Sequence, residues 1–224
     1  MKAKVLYSKA GLATQILIEV EENYFLVDTG DGTLRDLLSL EIDFRNIKGI
    51  FLTHGHFDHI GGLYALLGYF RVIERKNEIK IYFPQKSQET KSIVFSFIKS
   101  YNDIPFPLYQ YELKGGEKIE LDNIKINTYR MKHYAAVGTN RILYPEPAIG
   151  YRFFWKGKSI AISGDTALCP GLINLVQGAD LALIEATLTK DEATEELLNK
   201  LHLSLEKAQE IGKLAKEFIL IHQK

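Results

Sequence analysis

The sequence predicts an α/β (α+β) fold of two β-sheets with helices on their outer faces, and three observations predict it. Short β-rich runs bounded by turn residues recur along the whole chain. Each half of the chain closes on helical segments. With 224 residues, 46% of them hydrophobic and 11% aromatic, the chain can bury a core without disulfide support. No repeat, linker or low-complexity stretch interrupts the pattern, so residues 1–224 read as a single domain.

Residues 4–7, 14–20 and 24–27 are expected as strands, separated by Gly11 and by Glu21-Glu22-Asn23. Asp28-Thr29-Gly30-Asp31-Gly32-Thr33 is a turn cluster, and Leu34, Leu37 and Leu38 follow at helical spacing. Residues 47–53 form an apolar run typical of a buried strand. A helix beginning near Asp58 turns Ile60, Leu63, Leu66 and Leu67 inward. Residues 79–83 are a further strand and 86–100 a helix, whereas 101–111, with Pro105 and Pro107, read as a loop. Strands are expected at 118–121, 124–131, 149–155, 159–163, 181–185 and 218–221. Residues 204–216 are helical, with Leu205, Ala208, Ile211, Gly212 and Ala215 on one stripe. Ser204 is placed to cap that helix, and Lys207 stands where a Glu or Gln would complete a capping box.

Charge and cysteine content narrow the function. Lys and Arg number 28 against 28 Asp and Glu, so the net charge is zero. A protein that grips a long nucleic acid usually carries a basic excess, because neutralising phosphates supplies much of the affinity. The single cysteine, Cys169, excludes an intrachain disulfide and argues against a Cys-based zinc site. It fits a reducing, cytoplasmic setting and is expected to be a small buried residue. No secretory n- and h-region opens the chain, and no apolar run approaches the roughly 18 residues of a membrane span.

The chemistry concentrates in Thr53-His54-Gly55-His56-Phe57-Asp58-His59, between a buried strand and a helix. His54 and His56, two residues apart, would diverge on a helix but share a face of extended chain. Asp58 and His59 then fall in the first helical turn, where a carboxylate suits the positive dipole end. Gly55, Gly61 and Gly62 are expected to let the backbone bend around a site. Three of the six histidines fall within the six positions 54–59, which coincidence explains poorly. Imidazoles and carboxylates without a thiolate suit zinc, and also manganese or iron.

This run resembles the signature of the metallo-β-lactamase superfamily. The likeness extends through the Asp28–Thr33 cluster, a lone His133 after a strand, Ser163-Gly164-Asp165-Thr166, Glu185-Ala186-Thr187, His202-Leu203-Ser204 and the strand-borne His222. Together these are most similar to the branch holding tRNase Z and its phosphodiesterase relatives. The resemblance implies a four-layer αββα sandwich with two divalent metal ions at one edge of the sheets. It places His54, His56 and His133 on one metal and Asp58, His59 and His222 on the other, with Asp165 bridging. Zinc is the expected metal, and a metal-bridging hydroxide the expected nucleophile. The residues it implies for catalysis are Asp58, His202 and Glu185, with Glu185 orienting His202 to assist the leaving oxygen.

The chain departs from tRNase Z in two places. That family usually inserts a tRNA-gripping arm between the segments matching His133 and Asp165, and residues 134–147, read as a loop, are too few for one. Only Gln223 and Lys224 follow His222, where the family usually carries an aromatic and arginine tail. The expectation is therefore a phosphodiesterase lacking the arm, acting on a small phosphodiester or nucleotide. tRNA is a less expected partner, a membrane is not expected, and a homodimer is admitted. Arg141, in the loop after His133, is a candidate phosphate clamp. The alternatives are a tRNA 3′-processing endoribonuclease, a thioester, lactone or lactam hydrolase on the same site, and a non-enzymatic metal-binding protein.

Overall fold

Two six-stranded sheets organise the chain, and they fall in two compact units, Met1–Glu112 and Leu113–Lys224. The computed structural model describes residues 1–137 and 142–224.

The first unit runs β1 (Lys2–Lys9), β2 (Ala13–Val20), β3 (Asn23–Val27), α1 (Thr33–Leu38), β4 (Ile47–Phe51), α2 (Phe57–Ile60), α3 (Leu63–Val72), β5 (Ile79–Pro84), α4 (Gln88–Ser100) and β6 (Leu108–Leu113). Its strands lie in sequence order, β1-β2-β3-β4-β5-β6. The first three pair antiparallel, as their short connections allow; β3, β4 and β5 pair parallel. Parallel neighbours need crossover connections, which α1 and then α2 with α3 supply. That choice positions the site. Adjacent parallel strands end on the same edge, so Asp28 after β3 and Thr53-His54 after β4 emerge side by side. Leu63, Leu66, Leu67 and Phe70 make the buried stripe of α3, and Val94 and Phe97 that of α4. Each such burial stabilises by about 1.5–3 kcal/mol.

Arg75 is fully buried in this unit. Its guanidinium donates to the carbonyls of Phe44, Ile47, Asn77 and Glu78 at 2.7–2.8 Å. Burial pulls its pKa down to about 10, which still leaves it charged at neutral pH.

The second unit runs β7 (Lys118–Leu121), β8 (Ile124–Arg130), β9 (His133–Val137), β10 (Ile142–Glu146), β11 (Ile149–Trp155), β12 (Lys158–Ile162), α5 (Pro170–Val176), β13 (Leu181–Glu185), α6 (Glu195–Lys200), α7 (Leu205–Gly212) and β14 (Glu217–Ile221). The sheet order is β14-β13-β12-β11-β8-β7, while β9 and β10 form a separate hairpin. Tight two-residue turns close β7 on β8 and β11 on β12. Asp122, Asn123, Lys156 and Gly157 take the positive φ such turns require. Strands β12, β13 and β14 are parallel, so Ser163-Gly164-Asp165, Ala186-Thr187 and His222 leave one edge together. Helices α5 and α7 pack on this sheet through Leu172, Leu175, Ala208 and Ile211.

Three expectations change. Residues 108–111, read as the end of a loop, belong to β6, because Pro105 and Pro107 precede the strand rather than occupy it. Residues 134–147, read as a loop, are largely the β9–β10 hairpin, so His133 opens a strand instead of ending one. Pro145 is tolerated there because, among the described residues, both strands of this two-stranded sheet are edge strands, where proline is accommodated. Finally, Gly61 and Gly62 have ordinary helical φ angles of −58° and −86°. What Gly62 supplies is room, since a Cβ there would meet the Gly30 carbonyl at 2.4 Å.

Candidate metal centre

In the first unit His54, Asp58 and His59 are buried and His56 is half-buried. His54 lies on the chain leaving β4, and His56 is the residue before α2, whose first turn carries Asp58 and His59. The whole segment is drawn onto the Asp28 loop: Thr29 N donates to His59 O and Gly62 N to Thr29 O. His54 Nε2 and His56 Nδ1 lie 3.0 Å apart. Two nitrogens bound to one tetrahedral zinc at ~2.0–2.1 Å lie about 3.3–3.4 Å apart, so a slight opening of this pair would reach that span. Asp58 Oδ2 stands 3.9 Å from His59 Nε2 and accepts from Gly11 N at 2.9 Å, which fixes the carboxylate from the β1–β2 turn.

Behind these donors sits Asp28, which the sequence reading places in a turn cluster and in the family likeness but gives no role at the site. It is fully buried with φ 60°. Its Oδ1 accepts from Thr53 N at 2.7 Å, and its Oδ2 from Thr53 Oγ1 at 2.8 Å and from His59 Nδ1 at 2.7 Å. A carboxylate there requires the proton on His59 Nδ1 and leaves Nε2 with a lone pair. The Asp-Thr-Gly turn chemistry was visible, but its partners lie 25 and 31 positions away.

In the second unit His133, Asp165 and His222 are buried, His202 is half-buried and Glu185 is fully buried. His133 Nδ1 donates to Leu201 O at 2.9 Å, which in a neutral imidazole again puts the lone pair on Nε2. Asp165, His202 and His222 each offer a donor atom, all within 4.8 Å of one another. His222 Nδ1 is 3.3 Å from Asp165 Oδ1, and His202 Nδ1 is 3.8 Å from Asp165 Oδ2. Glu185 separates the two histidines in kind. Its Oε1 accepts from His202 Nδ1 at 3.0 Å, and also from Thr166 N and Leu203 N at 3.1 Å. Its Oε2 accepts from Thr187 N at 3.0 Å and Thr187 Oγ1 at 2.8 Å. The Thr187 hydroxyl in turn lies 2.8 Å from His222 Nδ1. Ser204 caps α7 as expected, accepting from Lys207 N at 3.2 Å, and so holds the end of the His202-Leu203 segment.

The predicted residues therefore gather as two donor sets, one in each unit. Arg141 lies outside the described residues. Cys169 is buried, and none of the described helices is long and apolar enough to cross a membrane. The donors are nitrogen and oxygen only, and the buried imidazoles are each anchored through Nδ1. This is how proteins prepare histidines for a divalent metal ion.

Comparison with known proteins agrees. The model of the beta-lactamase superfamily domain matches residues 23–222. Ribonuclease Z of Archaeoglobus fulgidus is 25% identical, over 92% of this chain and 80% of its own. Ribonuclease Z of Pyrococcus abyssi is 29% identical, over 92% and 78%. Among solved structures, the short form of human tRNase Z has a TM-score of 0.81 at 24% identity, over 100% of this chain and 93% of its own. A diphosphatase from the PhnP family has a TM-score of 0.72 at 21% identity, over 99% and 86%. These structural likenesses show the metallo-β-lactamase fold. Fold and donors define a metal-dependent hydrolase. The chain belongs to the beta-lactamase superfamily, and the two curated relatives compared above are ribonuclease Z proteins.

Proposed function

We propose that the two donor sets serve one dinuclear centre in a single hydrolase domain, and that its substrate is a small phosphodiester or nucleotide. His54, His56 and His133 hold one metal, and Asp58, His59 and His222 the other, with Asp165 shared. The family match, which runs through both units from residue 23 to 222, supports this joint assignment. Zinc is the proposed metal, in keeping with the nitrogen-rich set. When bound, such a metal pair activates water and stabilises the attacking and leaving oxygens of a phosphodiester.

The observation that carries the phosphodiesterase reading is the Glu185–His202 pair, joined at 3.0 Å. Glu185 keeps the His202 Nδ1 proton in place and stabilises the imidazolium. His202, partly open to solvent, then delivers a proton from Nε2 to the departing alkoxide. Asp58 is held by Gly11 N, so its carboxylate is oriented before substrate arrives. A thioester expels a thiolate, which leaves without a proton and so gives this pair no comparable task.

tRNA 3′ processing is the second reading, favoured by the relatives' name. Size argues against it. The alignment with the Archaeoglobus fulgidus protein spans 248 positions but takes in 92% of 224 residues, so about 40 positions belong to the relative alone. Remote contacts of a large substrate normally support turnover as well as affinity, and within the aligned span this chain lacks the positions that the relative adds. Protein loaded to defined metal content should be assayed at fixed salt against small nucleotide diesters and precursor tRNA. The expected result is two metals per chain and a higher kcat/KM for the small diesters. A clear preference for precursor tRNA would replace this reading with the second.

A further inference from the structure

Both units use the same three-part device behind their histidines. In the first, Asp28 holds His59 directly, and the Thr53 hydroxyl, 2.8 Å from Asp28 Oδ2, lies 3.1 Å from His54 Nδ1. In the second, Glu185 holds His202 directly, and the Thr187 hydroxyl, 2.8 Å from Glu185 Oε2, lies 2.8 Å from His222 Nδ1. A hydroxyl has one proton. Beside a buried carboxylate and a neutral imidazole, it donates to the carboxylate, because the charge-assisted bond is about twice as strong. Thr187 Oγ1 also lies 2.9 Å from the His222 carbonyl, a neutral and so weaker competitor for that proton. With the proton on the carboxylate, the hydroxyl's lone pairs are left to accept from the imidazole Nδ1–H. For His222 the case is stronger, since Asp165 Oδ1 also faces Nδ1 at 3.3 Å and is an acceptor.

We propose that Thr53 and Thr187 are positioning residues, each extending one buried carboxylate to a second histidine and fixing its Nδ1–H tautomer. The consequence is that one charge governs two imidazoles in each unit. Asp28 prepares His59 and His54, and Glu185 prepares His202 and His222. Without the hydroxyl, His54 or His222 is free to carry its proton on Nε2, where it opposes a metal. The inference rests on the proposed ligand roles of His54 and His222 for its effect on metal binding, but not for the tautomers themselves.

The test has two independent readouts. On metal-free protein labelled with ¹⁵N in histidine, long-range ¹H–¹⁵N spectra report which nitrogen bears the proton. The expected result is Nδ1–H for His54 and His222 in the natural chain and in Thr53→Ser and Thr187→Ser. In Thr53→Val and Thr187→Val, the affected histidine alone should shift towards Nε2–H. Chelator competition with zinc should then show each Val variant losing about 10–100-fold in affinity at one site, with the Ser variants close to the natural chain. Unchanged tautomers in both Val variants overturn the proposal, as do Ser variants that behave like Val. Altered tautomers with unchanged zinc affinity would instead overturn the ligand roles proposed for His54 and His222. If Thr187→Val does not fold, the Thr53 pair in the other unit carries the same expectation.

Discussion

Replacing Glu185 with glutamine keeps the shape of the side chain and removes only its charge and one acceptor oxygen. The structure makes this a severe change. The carboxylate accepts from three donors on Oε1 and two on Oε2. A glutamine must point its NH2 at one of these groups, and facing Thr187 is the milder choice, because the hydroxyl can rotate. The Thr187 N–H cannot, and it is left buried without an acceptor, at a cost of about 1–3 kcal/mol. The three bonds on the remaining oxygen lose charge assistance, about 1 kcal/mol each. A buried amide costs less to desolvate than a carboxylate, which offsets part of this. The net loss should be about 3 kcal/mol, a large share of the 5–15 kcal/mol that typically holds a domain folded. Urea unfolding of metal-free protein at neutral pH measures it. A Glu185→Gln variant within about 1 kcal/mol of the natural chain would show that this carboxylate does not organise the second unit's edge.

Three further expectations follow from neighbouring groups. His202→Ala should lower kcat by about 10²–10⁴-fold while keeping its metals, with a smaller loss for substrates whose leaving group needs no proton; loss of a metal would make His202 a ligand. Asp28→Asn should turn an NH2 towards His59 Nδ1 and reverse its tautomer, weakening zinc binding about 10–100-fold in chelator competition, and unchanged affinity would refute the role given to Asp28. Glu117 is pushed up by burial, but bonds from Lys114 N, Thr128 Oγ1 and Gly115 N outweigh this and hold its pKa below the usual range. A depressed carboxylate pKa stabilises the fold above the unfolded value and loses that stability as pH falls through the folded one. Glu117→Gln should therefore destabilise at pH 7 and converge with the natural chain in acid thermal melts; a constant difference would count against it.

Much of this fold was legible because its inner strands are apolar runs cut by turns, as at β2, β3 and β4. The His54–His59 segment was legible because its donors are close in sequence. What escaped has a common physical cause, which is dependence on distant partners. The fixing of His59 by Asp28 spans 31 positions and that of His222 by Thr187 spans 35, and nothing local marks either bond. The hairpin was hidden by prolines that an isolated two-stranded ribbon accommodates. Helix α5 was missed although Pro170 at its start is a standard opening signal. The glycines beside the motif were recognised as special, but for flexibility, when their value is the absence of a side chain.

The hairpin that opens on His133 separates reach from chemistry. Its first rung pairs His133 with Glu146, and the last rung among the described residues pairs Val137 with Ile142. His133 is moored from elsewhere, by its bond to Leu201 O and by the bridge between Lys132 and Ala167. Residues inserted between 137 and 142 would lengthen the ladder outward by about 3.4 Å per residue on each strand. The imidazole at its root would stay where it is. A lineage could thus gain or shed a substrate-gripping extension by a change of length at one spot, with the hydrolytic apparatus inherited intact. Grafting such an extension onto this chain is accordingly a design problem in surface recognition alone.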